Sequence, residues 1–427
     1  MLKFLLHLTN RNFLRLFLAQ LISQFGDRIN QLALIGLIAQ RSPGSAMGLA
    51  KVMAFTIIPV FFIQPFAGAL VDRWDRRNTL LFCDIIRGFL VLSIPWAMTR
   101  QDSMIPIYIV VFFVFCFSRF YVPAKMSIIP DLVNEEYLLT ANSLVTTTGM
   151  IAFVLGCALG GFIIEKFGPA NGFLIDAATY FVSGFFVFSI RRPIKLHLNR
   201  ERIFKAGREI LSVVQKSIWS EIREGFQYLF KQRDIRFIVY IFFIILAAAG
   251  AVYVVLIVFI QEAFHSITKD LGVLAVCLGV GLFLGVIAYG KWGHKIPWFK
   301  TIFYCLISGG LMLIVFARLV HLYPNMHMAM ILSGMLGFII GPIFIASNTV
   351  IQIVSDEKMR GKVFSSMEIV IHIAFLTAML ASSWLSQYVK SVWILIGVGV
   401  LFAVIGSIGL FKTQHKNDLA FINGKMA

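Results

Sequence analysis

Asp27 is a carboxylate set inside an apolar run that begins near residue 12. It lies about fifteen residues into that run, so at ~1.5 Å per residue it sits roughly 22 Å along a helix. If the helix crosses a membrane, a carboxylate at that depth is costly, and is usually functional or paired. It would serve as a proton carrier, or as a sodium ligand that stays ionised and needs neighbouring oxygens. Gln24 and Gln31, about one turn to either side, are spaced to help with ion or substrate. Arg28 is adjacent, but neighbours on a helix point ~100° apart. The plainer alternative is therefore an Asp27 held in an interhelical pair. Glu368 and His372, four residues apart, share a helical face. They either relay protons through a titratable imidazole or form an intrahelical pair.

A second group is the short charged loop Gly68-Ala69-Leu70-Val71-Asp72-Arg73-Trp74-Asp75-Arg76-Arg77. A carboxylate at Asp72 can accept hydrogen bonds from a helix N-terminus and from a nearby arginine. Arg119 is the arginine expected to meet it. The loop then acts as a gate latch with Arg73, Arg76 and Arg77. The alternative is a basic cluster that only orients the chain in the membrane, a role to which Gly68 and Asp72 add nothing. Asp84 and Arg87, three apart, are expected to pair with each other, and Asp176 to make a structural hydrogen bond. Asn142, Thr146, Thr147 and Thr148, with Ser347, Asn348, Thr349 and Gln352, offer polar lining, although hydroxyls in such helices often bond back to their own backbone.

These groups need elements to position them. The 427 residues are 59% hydrophobic and only 14% charged, against ~25% charged in soluble domains. Apolar runs of ~18 residues or more, each enough to cross the bilayer as a helix, recur along the chain. They fall near 12–39, 46–71, 78–99, 104–124, 138–166, 169–190, 235–262, 268–291, 297–318, 326–352, 362–387 and 389–412. Strands of a membrane barrel would instead be ~10-residue alternating segments. The expectation is an all-α membrane protein of twelve spans.

The net charge of +17 follows position. Most Lys and Arg fall in alternate connections, beginning with the N-terminus. The other side carries only Arg41, Lys51, Arg100, Lys166, Lys269, Arg318 and Lys390. This bias puts both termini in the cytoplasm. It explains the basic composition without nucleic acid. Cys83, Cys116, Cys157, Cys277 and Cys305 all lie in spans and form no CxxC pair, so they read as small core residues. No metal-ligand cluster is visible, and no small-residue cleavage site follows the first twelve residues, so no cleaved signal peptide is expected.

One basic segment interrupts the rhythm and splits the spans six and six. The resulting divisions are 1–190, a cytoplasmic linker over 191–234, and 235–427. Within the linker, Trp219, Ile222, Phe226 and Leu229 recur at helical spacing, as in an amphipathic helix on the membrane surface. A tether between halves is favoured over a regulatory or partner site. The halves echo each other. Val133-Asn134-Glu135-Glu136 corresponds to Val354-Ser355-Asp356-Glu357, and Gly68 to Gly285. After Gly285 come Tyr289, Lys291, His294 and Lys295, basic but without the acid, so the gate is expected to be one-sided. Two such bundles in pseudo-symmetry suggest a duplicated transporter with its site between halves. Gly156, Gly160 and Gly161 permit close helix approach, and Pro59 and Pro65 can bend the second span. Tyr240, Phe242, Phe243 and Tyr253 line a greasy cavity or face lipid and other helices.

The chain resembles the major facilitator superfamily over essentially its full length. Gly68, Asp72, Arg73, Arg76 and Arg77 match that family's span 2–3 signature, with Asp75 in place of its second glycine. Gly156-Cys157-Ala158-Leu159-Gly160-Gly161 resembles its span 5 antiporter motif, with Cys157 replacing the proline. Gln24-Phe25-Gly26-Asp27, Asp84-Ile85-Ile86-Arg87, Pro123-Ala124-Lys125, Ile129-Pro130-Asp131-Leu132-Val133 and Ala141-Asn142-Ser143-Leu144 look like the branch of macrolide-efflux proteins and enterobactin exporters. Gly26-Asp27, Pro123-Ala124-Lys125, Ala141-Asn142 and the glycine-rich fifth span are also similar to lysophospholipid transporters.

The resemblance implies two six-helix bundles, alternating access, and a latch that closes the inner gate. The reading is a bacterial inner-membrane transporter, not an enzyme, acting as a monomer among membrane lipids. It exports a small amphiphilic compound, a drug or siderophore, against proton influx. It needs no cofactor and draws on a proton or sodium gradient. Asp27 is the first choice for coupling, then Glu368 and His372. The alternatives are a lysophospholipid flippase, with sodium as its candidate coupling ion, and a non-transporting receptor or assembly partner.

Overall fold

A computed structural model describes residues 10–71, 74–100, 103–134, 137–190, 233–293, 297–354 and 360–414. Within them the chain is helical throughout, with no strand. The elements are α1 Arg11–Arg41, α2 Ala46–Phe62, α3 Gln64–Val71, α4 Arg76–Arg100, α5 Ile105–Leu132, α6 Leu138–Phe167 and α7 Pro169–Ser189. Then follow α8 Arg233–Phe264, α9 Lys269–Trp292, α10 Trp298–Leu322, α11 Met326–Val354, α12 Arg360–Leu385 and α13 Ser391–Gln414.

The helices α4 to α13 supply 10 segments long and apolar enough to cross a membrane. With α1 and the α2–α3 pair they occupy the twelve expected positions. α1 is long, at 31 residues, but Gln20, Gln24, Asp27, Arg28, Asn30 and Gln31 dilute its apolar character. Gln20, Ser23 and Asn30 are buried, so its polar side turns into the bundle. The second span breaks at Ile63 between α2 and α3. Pro65 cannot donate its backbone hydrogen bond and disfavours helical geometry at the residue before it. The fourth span, expected to end at 124, continues as helix to Leu132 through Pro123 and Pro130. The proline signals there did not stop it.

The chain divides into two compact units. Unit one holds everything before Arg233, together with Ile267–Gly272 and Gly361–Ile373. Unit two holds Arg233–Ser266, Val273–Arg360 and Ala374–Ala427. In unit one, successive helix ends meet alternately at the two ends of the bundle. Asn10 Nδ2 donates to Leu132 O at 2.6 Å, and Arg15 to Ser189 O at 2.5 Å. The start of α1 therefore meets the ends of α5 and α7. At the opposite end Arg41 donates to Met98 O at 2.8 Å, joining the end of α1 to that of α4. A core of Phe13, Leu16, Leu80, Tyr121, Ile129 and Val187 fills the first of these ends.

Unit two is assembled on small residues. A side chain on Gly281 or Gly285 would strike the α11 backbone at Gly334 and Phe338, and Gly310 and Gly399 pack α10 on α13. This is the backbone-to-backbone contact that membrane helices favour, since burial from lipid gives little driving force. Gly285 is thus demanded by packing. Among the described residues, its counterpart Gly68 has nothing within 4 Å of the position a side chain would take. The repeat preserved the residue but not its reason. Tyr253 packs its ring on Phe375 at 5.7 Å.

Candidate functional site

The polar residues of α1 separate into two stripes. Asp27 and Asn30, three apart, face α7. Tyr180 Oη donates to Asp27 Oδ1 at 2.5 Å, and Asn30 Nδ2 to Asp176 Oδ2 at 2.6 Å. Asp176 and Tyr180 are themselves four apart, so the two helices form a two-rung polar ladder. Gly26 makes this possible, because a side chain there would collide with Thr179 and Asp176. The other stripe faces α6. Arg28 donates to Gln31 Oε1 at 3.3 Å and lies 5.2 Å over the Phe153 ring. Gln24 approaches the backbone of Gly149. The structure therefore does not bring Gln24 or Gln31 to Asp27. Neighbouring stripes diverge on a helix, and residues one turn away in sequence point past each other here.

Behind Tyr180 sits an ion pair. Arg87 donates to Asp84 Oδ1 at 2.5 Å, as their spacing predicts, and Ser183 Oγ donates to Asp84 Oδ2 at 2.7 Å. Asp84 and Arg87 are almost completely buried, at 0% and 2% exposure. The Arg87 guanidinium stands 4.4 Å from the ring centres of both Tyr121 and Tyr180. Cation–π contact of this kind is strongest when desolvated. Asp27, half-buried, is thus the least enclosed carboxylate of a network running through α1, α4, α5 and α7. Asp176 makes the hydrogen bond expected of it.

Glu368 lies elsewhere. Its carboxylate accepts from Gln64 Nε2, and Gln64 Oε1 accepts from Arg119 at 3.3 Å. A neutral amide thus bridges a cation on α5 and an anion on α12, within unit one. His372 Nδ1 meets the Glu368 main-chain oxygen at 2.7 Å. A carbonyl only accepts, so this nitrogen carries the proton. The two side chains share a face but are not joined carboxylate to imidazole, and Glu368 is not brought to Asp27. Arg119 Nε is buried and has no hydrogen-bond partner among the described residues.

The loop after α3 divides its tasks. Asp72 and Arg73 lie outside the described residues, and so does the contact expected between Asp72 and Arg119. Arg76 pairs with Asp131 at 2.6 Å. Arg77 donates to Val187 O at 3.1 Å and to Phe188 O, a cation on the negative end of α7. Asp75, which replaces the family's glycine, accepts from Asn78 N at 2.7 Å and so caps α4. Arg76 and Arg77 therefore tie helix ends inside unit one. Gly156 and Gly160 pack against α1 at Arg28, Ile29 and Leu32, and Gly161 against the start of α9.

Sequence reasoning passed over Asn30, Gln64, Glu165 and Tyr180. Asn30 and Tyr180 had a signal, one turn from Asp27 and Asp176 respectively. Gln64 was also legible as a lone amide in an apolar span. Glu165 sits at a span end, where charge is ordinary.

The Major Facilitator Superfamily model matches residues 16–374. The chain belongs to that family. It is a multi-pass membrane transporter, and the family's members are transporters, not enzymes. It is 26% identical over 408 residues to the uncharacterized MFS-type transporter YkuC of Bacillus subtilis, covering 93% of this chain and 91% of that one. It is 24% identical over 358 residues to the multidrug efflux pump Tap of Mycolicibacterium fortuitum, covering 82% and 83%. Among solved structures, a POT family transporter in complex with 5-aminolevulinic acid superposes with a TM-score of 0.70 at 11% identity, covering 94% of this chain and 96% of that chain. At that identity the likeness concerns the fold alone.

Proposed function

We propose that this transporter exports a small amphiphilic compound, a drug or a siderophore, by alternating access coupled to proton influx. It works in the bacterial cytoplasmic membrane with both termini inside, as a monomer, with an ion gradient in place of any cofactor. The macrolide-efflux and enterobactin-exporter branch is its proposed place in the family. The working divisions are 1–190, 191–234 and 235–427.

The observation that supports coupling most is the charge balance around Asp27. Asp27, Asp84 and Asp176 are three carboxylates, and Arg87 is the guanidinium among them. Lys125 is also within electrostatic reach of Asp27. With all three carboxylates ionised, one negative charge is left over in a low-dielectric interior, where an uncompensated charge is expensive. A single small cation completes the balance, and Asp27 is the carboxylate most open to it. The Arg119–Gln64–Glu368 bridge is the second candidate, because protonating Glu368 removes the anion that Gln64 serves.

The test is flux in proteoliposomes under imposed proton or sodium gradients, with a drug and a lysolipid offered separately. Proton-driven drug movement that falls at least a hundredfold in Asp27→Asn supports the proposal. Sodium-driven lysolipid movement without drug movement would replace it with a lipid flippase. No flux of either, and no effect of Asp27→Asn, would favour a receptor.

A further inference from the structure

Glu165 lies one turn beyond the glycine run of α6 and takes no part in the networks above. Its Oε2 accepts from the backbone N–H groups of Ile267, Thr268 and Lys269 at 2.9, 2.8 and 3.3 Å. These are among the donors that a helix cannot satisfy at its own N-terminus. They form the positive end of α9, where a carboxylate is most favourable. Such a cap is ordinarily local. Thr268, the residue placed to supply it, instead donates its hydroxyl to Gly161 O at 3.0 Å. The cap of α9 therefore comes from a helix about a hundred residues earlier.

The seam beneath this cap differs from the others in unit one. Gly156 and Gly160 press on α1 first through the side chains of Arg28, Ile29 and Leu32, with the Phe25 carbonyl and the Ile29 backbone just behind them. Gly161 presses on α9 backbone to backbone. A side chain there would lie 2.8 Å from Thr268 O and 3.2 Å from Gly272 Cα, and one on Gly272 would strike Cys157 O. Smooth backbone surfaces can part without unlocking interdigitated side chains, so the directional ties at this point are the carboxylate on three amides and the Thr268 hydroxyl on Gly161 O, of which only the first carries charge. It lies at the end of unit one opposite Asp75 and Arg76, where α6 terminates.

We propose that Glu165 is a positioning residue of the transport cycle: it latches the α9 N-terminus to α6 and releases it when that end of the transport path opens. The inference rests on the alternating-access reading. Its chemistry mirrors what the loop carboxylate Asp72 is expected to do at the other end, an acid held by a helix N-terminus.

Native Cys157 reports on the seam. It is 6% exposed and lies eight residues, ~12 Å, from Glu165 along α6. With Cys83, Cys116, Cys277 and Cys305 replaced by alanine, its alkylation by a membrane-impermeant maleimide is measured from each side of the membrane. Amide exchange over residues 266–272 is followed in parallel. Glu165→Ala should raise the alkylation rate from one side at least tenfold. Glu165→Gln, which keeps an acceptor without the charge, should raise it by a smaller factor. Faster exchange at 267–269 with unchanged Cys157 labelling in Glu165→Ala would overturn the latch and leave only a static helix cap. If Glu165→Ala does not fold, Glu165→Gln decides, and labelling no faster than wild type overturns the proposal. Neither measurement needs a cargo, so it stands or falls separately from the export reading.

Discussion

Replacing Arg87 with methionine tests how the buried network holds Asp27. The change removes the guanidinium but keeps an unbranched, polarizable side chain between Tyr121 and Tyr180. Asp84, at 0% exposure, keeps the Ser183 hydroxyl at 2.7 Å but loses its cation. Breaking a buried pair by removing one partner costs ~3–5 kcal/mol. The lost cation–π contacts at 4.4 Å add to this, and sulfur–aromatic contact returns ~0.3–1.5 kcal/mol. The single variant should therefore lose about 4 kcal/mol. In Arg87→Met with Asp84→Asn the stranded charge is gone and the Ser183 bond survives, so the loss should shrink to about 1–2 kcal/mol. The coupling energy is this recovery of roughly 2–3 kcal/mol plus whatever the Asp84→Asn single variant costs by stranding Arg87, so it is at least ~2–3 kcal/mol, read by reversible unfolding in mixed micelles across the four proteins of a double-mutant cycle. Tyr180 would also lose the cation that packs its ring beside Asp27, so transport should fall in the single variant beyond the loss of folded protein. Additivity within ~0.5 kcal/mol would refute the reasoning, since it would mean that Asp84 and Arg87 do not depend on each other.

Tyr180→Phe keeps the ring over Arg87 and removes only the hydroxyl on Asp27; a hydrogen bond to a charged group contributes ~1.5–3 kcal/mol to stability, so flux should fall at least tenfold and the unfolding midpoint should drop with it. Full flux in Tyr180→Phe alongside a dead Asp27→Asn would show that Asp27 works without that hydroxyl. The two motif glycines should part company. Gly68→Ala meets open space and should leave folded yield unchanged, whereas Gly156→Ala meets Arg28 and the Phe25 carbonyl, which lies 3.2 Å from the added carbon. Gly156→Ala should therefore lose ~1–3 kcal/mol by overpacking, read as a lower unfolding midpoint. Equal midpoints for the two variants would mean that α1 and α6 part easily to admit the methyl.

The span pattern, the helix class, the family and the charges set deep inside the spans were legible in the sequence. Apolar length and charge placement are one-dimensional properties, imposed directly by the thickness and dryness of a bilayer. The Asp84–Arg87 pair was legible for the same reason, because three residues apart on a helix is contact by local geometry. Partners on other helices were not. Nothing in spacing says that Gln24 and Gln31 turn to α6 while Asp27 turns to α7, since that depends on how α1 is rotated in its bundle. Only packing decides that rotation, through contacts such as Gly26 on Thr179 and Gly156 on Arg28. The same holds for Glu368, whose partner proved to be Gln64, and for Glu165, whose three donors are backbone amides of a distant helix end. Backbone amides carry no residue signature, so the sequence determined which charges sit in the membrane. The tertiary structure decided what each one holds.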